Sequence, residues 1–235
     1  MAIFESKYGL CRAKRTASLD YTPLYFRTLA DVDAIRRAFD ELDRESQPKA
    51  GVLGSGFIAL EFLNLFKARD YRIELFYRSA KFMERQLGTY GAERLEHRLL
   101  EAGVSLNPGM RGDDIGARKK GITYVGVGVG TGSDLSFLKK AGVELGDGVK
   151  TNEYLETSVP GVWAAGDVAE FNDLAVGRVH QVKTWQNADF QGRLVGAAMA
   201  GERTAYRRAS AYSAELFGEP FVFLGDCDAE AADEI

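Results

Sequence analysis

The stretch that decides the fold reads Val52-Leu53-Gly54-Ser55-Gly56-Phe57-Ile58-Ala59-Leu60-Glu61. An apolar run ending at Leu53 predicts a buried strand, and the two glycines after it predict a tight turn. The apolar residues of 57–69 predict a helix, and residues 72–77 predict a second strand. Strand, glycine turn, helix and strand make a βαβ unit, so the sequence predicts an α/β fold with a parallel sheet.

The small residues of this turn have the GxGxxA spacing of a dinucleotide-binding turn. Gly54 makes the sharp bend, Gly56 lets a pyrophosphate approach the backbone, and Ala59 lets the helix pack close to the strand. The helix N-terminus then offers N–H groups to the phosphates. A methyltransferase that binds a sulfonium nucleotide can have a similar turn, but that alternative does not explain a second motif downstream. The candidate cofactor-binding residues here are Gly54, Ser55, Gly56, Phe57 and Ile58.

The second strand of the unit ends in Tyr77-Arg78, where NAD-binding units usually carry an acid for the ribose hydroxyls. Arg78 suits a 2′-phosphate and would favour NADPH, or it is a solvated arginine at a strand end. The sequence leaves both interpretations open, and Tyr77 and Arg78 are both candidate cofactor-binding residues.

The second motif spans 157–167 and ends in Val162-Trp163-Ala164-Ala165-Gly166-Asp167. Pro160 and Gly161 predict a turn, and 162–165 predict a short buried strand with Asp167 just beyond its end. Ligands in open α/β sheets bind at that end of the strands, where an acid can accept hydrogen bonds from hydroxyl groups. A helix-capping aspartate is an equal alternative on physical grounds.

This T-x-x-P-x-V-W-A-A-G-D pattern resembles the second FAD motif of the pyridine nucleotide–disulfide oxidoreductase superfamily. The likeness is greatest to the branch without active-site cysteines, which holds the rubredoxin and ferredoxin reductases and the apoptosis-inducing-factor-like proteins. It extends from about Tyr25 to Asp226 and includes the segments 127–130, 142–152, 185–188 and 191–193. The resemblance implies an oxidoreductase with two cofactors, FAD and NAD(P)H. Hydride would pass from nicotinamide to flavin, and electrons would pass on to a small-molecule or small redox-protein acceptor.

The resemblance also assigns roles to residues. Gly166 and Asp167 would bind the flavin ribityl chain, and Val129 and Gly130 would line the NAD site. The helix that begins at Thr184, Trp185 and Gln186 would point its N-terminus at the flavin, where its dipole favours negative charge. Glu61 matches a buried acid that pairs with a lysine in the family, and an ordinary helix acid is an equal alternative.

The sequence departs from the family pattern at both ends and in one internal segment. Residues 1–24 lack the N-terminal GxGxxG that grips FAD, 107–121 are too short and glycine-rich for the usual meander, and little follows Gly225. We therefore expect an incomplete chain in which an NAD(P)-binding Rossmann-like unit is inserted in a partial FAD-binding α/β domain. The expected divisions are 1–28 (a remnant of the FAD domain or disordered), 29–130 (NAD(P)-binding), 131–225 (second half of the FAD-binding domain) and 226–235 (acidic tail). A degenerate or non-catalytic NAD(P)-binding protein without flavin is the alternative function.

The composition argues against several other classes of function. A net charge of −4 and a pI near 5.4 give no reason to expect a nucleic-acid or membrane partner. Cys11 and Cys227 form no redox or metal-binding motif, which favours a reducing, cytoplasmic location. No catalytic acid–base residue and no metal site are expected, although His180 precedes the predicted flavin-facing helix. A homodimer is left open.

Local patterns predict several further elements. Residues 25–28 predict a strand, and Thr28 with Asp31 predicts a capping box for the following helix. Residues 90–102 and 185–200 predict helices, 122–129 predict a strand, and 107–121 predict a loop.

Overall fold

The structure is a computed structural model that describes residues 20–118, 121–130 and 132–225, and for 116–118 the backbone only. It divides into two compact units. Of the described residues, the first unit holds 20–130, Gly132 and 214–221, and the second holds 133–213 and 222–225. Cys11, Cys227, the acidic tail and most of the predicted N-terminal remnant lie outside the described residues.

The first unit contains a five-stranded parallel sheet with the strand order β1-β5-β2-β3-β4. The predicted α/β class with a parallel sheet is thereby confirmed. Strands β2 and β3 match their predicted positions, whereas the predicted strand at 25–28 is wrong, because β1 lies three residues earlier and Thr28 caps a helix. The strand β1 lies in the segment that the sequence assigned to the region before the nucleotide-binding unit. The strands are β1 (Thr22–Leu24), β2 (Lys49–Leu53), β3 (Arg72–Tyr77), β4 (Ser105–Pro108) and β5 (Tyr124–Val127).

In the part of the chain that the structure describes, four helices accompany this sheet. The predicted capping box is confirmed, since Thr28 and Asp31 bond reciprocally and begin a helix that buries Ile35, Phe39 and Leu42. The third helix begins earlier than its apolar pattern predicts and is interrupted by a non-helical conformation at Gly88. The prediction of a loop over 107–121 is wrong in part, because a short helix lies within it. The helices are α1 (Leu29–Leu42), α2 (Phe57–Lys67), α3 (Glu84–Glu101) and α4 (Asp113–Arg118).

The second unit has a three-stranded sheet of order β6-β7-β8, in which β6 and β7 are parallel and β8 is antiparallel to β7. The predicted strand at 162–165 is wrong: Trp163 forms only an isolated bridge with Glu156, and a 3₁₀ turn over Gly166–Val168 follows. The predicted helix from Trp185 is confirmed. The elements are α5 (Ser136–Lys140), β6 (Val149–Thr151), β7 (Ala169–Asp173), β8 (Arg178–His180) and α6 (Trp185–Met199).

A hairpin of β9 (Ala211–Leu216) and β10 (Glu219–Leu224) follows, which the sequence did not predict. Its turn places Phe217 at φ 52° and Gly218 at φ 87°, the two positive values of a tight hairpin turn. Within the first unit, Asn64 of α2 donates to the Glu215 carbonyl at 2.7 Å and accepts from the Phe217 N–H at 2.9 Å. None of the described helices combines the length and the apolar character that crossing a bilayer requires.

Candidate functional site

The turn after β2 is held in a conformation that only glycine tolerates. Gly54 has φ +130°, and a Cβ on it would lie 2.2 Å from the carbonyl oxygen of Gly128. Its N–H donates to the Phe76 carbonyl at 2.9 Å, while the N–H of Gly128 donates to the Leu53 carbonyl at 2.7 Å. The turn is therefore fixed to both neighbouring strands of β2, which limits the freedom of its backbone.

Gly128 also sets how closely α2 approaches the sheet. A Cβ on Gly128 would lie 2.5 Å from the backbone nitrogen of Ala59, and one on Gly126 would lie 2.3 Å from the Phe62 ring. Gly126 in β5 and Gly128 just after it have no side chains, and this lets the first turns of α2 pack close to the sheet. Sequence reasoning assigned close packing to Ala59 alone and missed this role of Gly128. The alternating glycines of 126–130 were the available signal.

Gly56 has the opposite environment from Gly54. It is the N-cap residue of α2 with an extended backbone, and no side chain caps the helix. Apart from its two chain neighbours, no atom of the described residues lies within 4 Å of the position that its Cβ would occupy. The backbone at the start of an 11-residue helix is therefore open on this side, which suits a pyrophosphate that accepts N–H bonds. Ser55 and Phe57 are half-buried beside it, and Ile58 is exposed.

The topology places this turn at the switch point of the sheet. The chain runs from β2 to β3 and β4 on one side, and then returns to β5 on the other side of β2. Val129 and Gly130 follow the carboxyl end of β5, and the Val129 nitrogen is 3.2 Å from the Cβ position of Gly54. The structure thus brings the predicted residues of 54–58 and 129–130 to one edge, where ligands of open α/β sheets bind.

The two candidates at the end of β3 differ in their exposure. Tyr77 is buried, and its hydroxyl donates to Glu96 Oε1 at 2.6 Å. Burial first, and then this hydrogen bond to the carboxylate, raises the pKa of Tyr77 above its ordinary value. The Tyr77 side chain therefore does not lie on the open edge with the glycine turn, whereas Arg78 is exposed. Glu61 is also exposed, unlike the buried acid at the matching family position.

In the second unit, Gly166 makes the turn that precedes Asp167. Gly166 has φ +76°, its Cβ position lies 3.2 Å from the Cβ of Ala188, and its buried N–H donates to Gln191 Oε1 at 2.8 Å. Asp167 is exposed at the tip of this 3₁₀ turn. Gln191, which sequence reasoning left out of the site, therefore connects α6 to the turn that presents Asp167.

The N-terminus of α6 is the other predicted flavin contact. Thr184 caps it by accepting from the Asn187 N–H at 3.3 Å, and Trp185 is 78% exposed. The buried Asn187 donates to the Val182 carbonyl at 3.0 Å and accepts from the Tyr206 hydroxyl at 2.9 Å. Asn187 thus anchors the first turn of α6 while Trp185 and Gln186 remain exposed. α6 therefore carries both the exposed pair and, through Gln191, the support for Gly166.

His180 lies at the end of β8 and not on the α6 surface. Its Nε2 is 2.9 Å from Oδ2 of Asp173, whose side chain is fully buried, and its ring packs on Phe171. Asp173 Oδ1 also accepts from the Ala175 N–H at 2.8 Å, so this carboxylate organises the turn between β7 and β8. Across the described ranges, no three His, Cys, Asp or Glu side chains cluster in a way that could hold a metal ion.

Comparison with known proteins places this geometry in a family. A sequence model of the pyridine nucleotide-disulphide oxidoreductases matches residues 16–192. Putidaredoxin reductase CamA of Pseudomonas putida is 26% identical over 193 residues, which are 76% of this chain and 44% of that protein. Rubredoxin-NAD(+) reductase of the same species is 23% identical and matches over 86% of this chain and 54% of that protein.

Solved structures give the same result. A ferredoxin reductase from Rhodopseudomonas palustris superposes with a TM-score of 0.71 at 25% identity, covering 82% of this chain and 50% of that one. The chain spans about half the length of the curated relatives it matches. The family match extends over most of the sequence and includes both glycine turns. The chain therefore belongs to the pyridine nucleotide-disulphide oxidoreductase family.

Proposed function

We propose that this chain is the NAD(P)H-binding and flavin-facing part of an FAD-dependent oxidoreductase. One observation carries the proposal: at the switch point of the sheet, Gly54 is closed by backbone packing while Gly56 leaves the start of α2 open. A turn that serves only the fold has no need for an open, uncapped helix start beside a fully packed glycine. A nucleotide pyrophosphate needs both, because it requires a rigid backbone and unobstructed N–H groups.

The residues of the first unit fit a pyridine dinucleotide. Gly54, Ser55 and Gly56 would hold the pyrophosphate, with Phe57 and Ile58 at the start of the helix beside it. Val129 and Gly130 would contact the nicotinamide half, since they follow the strand on the other side of the switch point. The open space around the position that a Cβ on Gly56 would occupy is the feature that supports this fit.

The residues of the second unit fit the ribityl and pyrimidine parts of a flavin. Asp167 offers an exposed carboxylate to ribityl hydroxyls, and Gly166 and Gln191 hold it in position. Thr184, Trp185 and Gln186 present an uncrowded helix start, whose dipole favours negative charge on a bound ring. When bound, the flavin supplies the redox chemistry by accepting hydride from the nicotinamide and releasing electrons to an acceptor.

The relatives support a small redox protein as the acceptor, since their names refer to putidaredoxin and rubredoxin. We include such a partner in the proposal, with a small molecule as the alternative acceptor. A reducing, cytoplasmic location is also part of it, because the two distant cysteines form no disulfide framework. The domain assignment proposed from the sequence, with an NAD(P)-binding unit at 29–130, belongs to the same proposal.

The test is flavin binding and reduction by the full chain. The purified protein would be titrated with FAD while flavin fluorescence is followed, and then mixed anaerobically with NADPH or NADH. We expect saturable FAD binding, and loss of the oxidised flavin absorption at a rate above that of a protein-free mixture. Asp167→Ala should weaken FAD binding about tenfold, equivalent to about 1.4 kcal/mol.

Asp189→Ala is the matched control, because Asp189 is an exposed carboxylate of α6 that pairs with Arg193. This substitution removes the same charge and should leave FAD affinity unchanged. If NADPH or NADH binds but FAD does not, the chain is the flavin-free nucleotide-binding protein that the sequence left as an alternative. Equal effects of both substitutions would also contradict the assignment of Asp167.

A further inference from the structure

We propose that the dinucleotide of the first unit is the 2′-phosphorylated one, NADPH, and that Arg78 recognises its 2′-phosphate. This inference rests on the proposed function, since it needs a pyridine dinucleotide at the β2 turn. It selects between the two cofactors that the family membership leaves open. Three observations support it: the sequence lacks the acid that would select NADH, Arg78 lies just after the end of β3, and the segment that follows Arg78 is held in place.

The acid that binds the ribose hydroxyls in NAD sites is missing at the end of β3. No Asp or Glu occurs between Glu74 and Glu84 in the sequence. Glu74 lies within β3, is buried, and pairs with Lys49 Nζ at 3.0 Å, so it is held away from the strand end. A carboxylate at the strand end would repel a 2′-phosphate, and the segment that follows β3 carries none before Glu84.

One carboxylate from α3 does reach the end of β3, but it is already used. Glu96 Oε1 accepts from the Tyr77 hydroxyl at 2.6 Å and from the Phe82 N–H at 2.7 Å. The donors are the last residue of β3 and a residue of the segment that follows it, so Glu96 holds this segment against the strand end. A ribose that approached the same oxygen would have to compete with a buried tyrosine hydroxyl. We therefore assign Glu96 to holding the end of β3, and not to the ribose.

Arg78 lies at the same edge as the glycine turn. Leu53 pairs with Phe76 in the register of β2 and β3, and Gly54 continues that pairing through its bond to the Phe76 carbonyl. Arg78 comes two residues after Phe76 and is exposed. Arg78 thus lies at the sheet edge where the adenosine ribose is found when a pyrophosphate occupies the β2 turn. A guanidinium binds phosphate through two parallel hydrogen bonds.

The residues after Arg78 keep the segment in place. Ser79 Oγ donates to the Lys81 carbonyl at 2.7 Å, which closes a short turn. Lys81 Nζ forms an ion pair with Glu93 at 3.1 Å, and this hydrogen bond raises the pKa of Lys81. Lys81 is therefore engaged with α3, and we assign Arg78 to the 2′-phosphate because it is exposed directly after the end of β3.

The test compares three nucleotides on the full chain by titration calorimetry: adenosine 2′,5′-bisphosphate, adenosine 3′,5′-bisphosphate and 5′-AMP. The two bisphosphates carry the same charge, so a difference between them reports the position of the phosphate. We expect the 2′,5′ isomer to bind about 10- to 100-fold more tightly than either of the others, the range for charge-assisted hydrogen bonds. Arg78→Ala should abolish the difference, and Arg78→Asp should make 5′-AMP the better ligand.

Arg72→Ala is the matched control, because Arg72 is exposed at the other end of the same strand. It should retain the full preference for the 2′,5′ isomer. Equal binding of all three nucleotides, or a preference that survives in Arg78→Ala, would overturn the inference and leave the proposed function intact. If none of the nucleotides binds, both the inference and the proposed dinucleotide site are wrong.

Discussion

Gly54 and Gly56 are two residues apart, yet the structure gives them opposite tasks. A side chain at Gly54 would collide with the Gly128 carbonyl and would also be strained at φ +130°. A methyl group at Gly56 would meet no atom of the described chain within 4 Å. Gly54 therefore determines the stability of the turn, and Gly56 determines its capacity to bind a ligand.

Alanine at Gly54 should destabilise the protein, and alanine at Gly56 should not. We expect Gly54→Ala to lower the free energy of unfolding by about 2–5 kcal/mol, from backbone strain and overpacking together. Gly56→Ala should change it by less than about 1 kcal/mol but weaken NADPH binding about tenfold or more, because its methyl group covers the open backbone. Urea denaturation and calorimetric titration of both variants measure these effects. Undiminished NADPH binding by Gly56→Ala would contradict the assignment of this face.

The residues of the β2 turn could be predicted because their spacing carries the information. Gly54, Gly56 and Ala59 are fixed by a local strand–turn–helix geometry, which a single sequence displays. Gly128 and Gln191 act on partners that are distant in sequence, on Gly54 and on Gly166. The alternating glycines around Gly128 indicate a close backbone approach but not its partner, and the neighbours of Gln191 indicate no contact, so neither residue was selected from the sequence. Tyr77 was selected by its position at the strand end, but its burial depends on Glu96 of the next helix.

At the scale of elements, α6 supports the turn before Asp167 through one amide. Gln191 Oε1 accepts the buried Gly166 N–H, and replacing Gln191 with leucine would leave that donor without a partner. We expect Gln191→Leu to lower the free energy of unfolding by about 1–3 kcal/mol and to speed amide exchange at Gly166. Hydrogen exchange with fragment-level mass spectrometry measures the second effect.

Arg193 of the same helix provides the control for Gln191. Its guanidinium pairs at 3.0 Å with Asp189, which lies one helical turn earlier on an exposed face of α6. Arg193→Ala should leave exchange at Gly166 unchanged, since it touches only the helix surface. If both variants speed this exchange equally, the effect comes from general fraying of α6 and the specific role of Gln191 is wrong.

Elements with complete local signals were predicted well, and elements that depend on distant partners were not. The capping box of Thr28 and Asp31, the strand 72–77 and the helix from Trp185 are all encoded in adjacent residues. The prediction of a strand at 162–165 is wrong because Trp163 forms only an isolated bridge with Glu156. Apolar residues without a neighbouring strand do not form a ladder. The hairpin of β9 and β10 was missed because Phe217 and Gly218 are not a usual turn pair.

At the scale of the whole molecule, we expect the free energy of unfolding to fall at acid pH because Glu156 becomes protonated. Its carboxylate accepts from Arg203 at 2.8 and 2.9 Å and from Asn152 at 2.9 Å, and these bonds lower its pKa from 4.5 to about 2. A lowered pKa means that the folded state holds the ionised form more strongly than the unfolded state does. The stabilisation is complete above pH 4.5 and is lost as the pH falls toward about 2.

Urea denaturation across this pH range would measure the effect by comparing the native chain with Glu156→Gln. We expect the difference in unfolding free energy between the two proteins to shrink steadily as the pH falls through the window. Arg203→Ala should weaken this dependence, because Arg203 supplies the largest part of the pKa shift. A difference that stays constant between neutral and acid pH would show that the Glu156 pair does not act in this way.

We propose above all that the backbone at the switch point of the first unit binds the dinucleotide. Amide hydrogen exchange of the full chain, with and without saturating NADPH, tests it most directly. We predict that the nucleotide slows exchange in the fragments that cover Gly54–Ala59 and Val127–Gly130, while fragments of α1 are unaffected. Unchanged exchange at Gly54–Ala59 under conditions in which NADPH is bound would contradict the account.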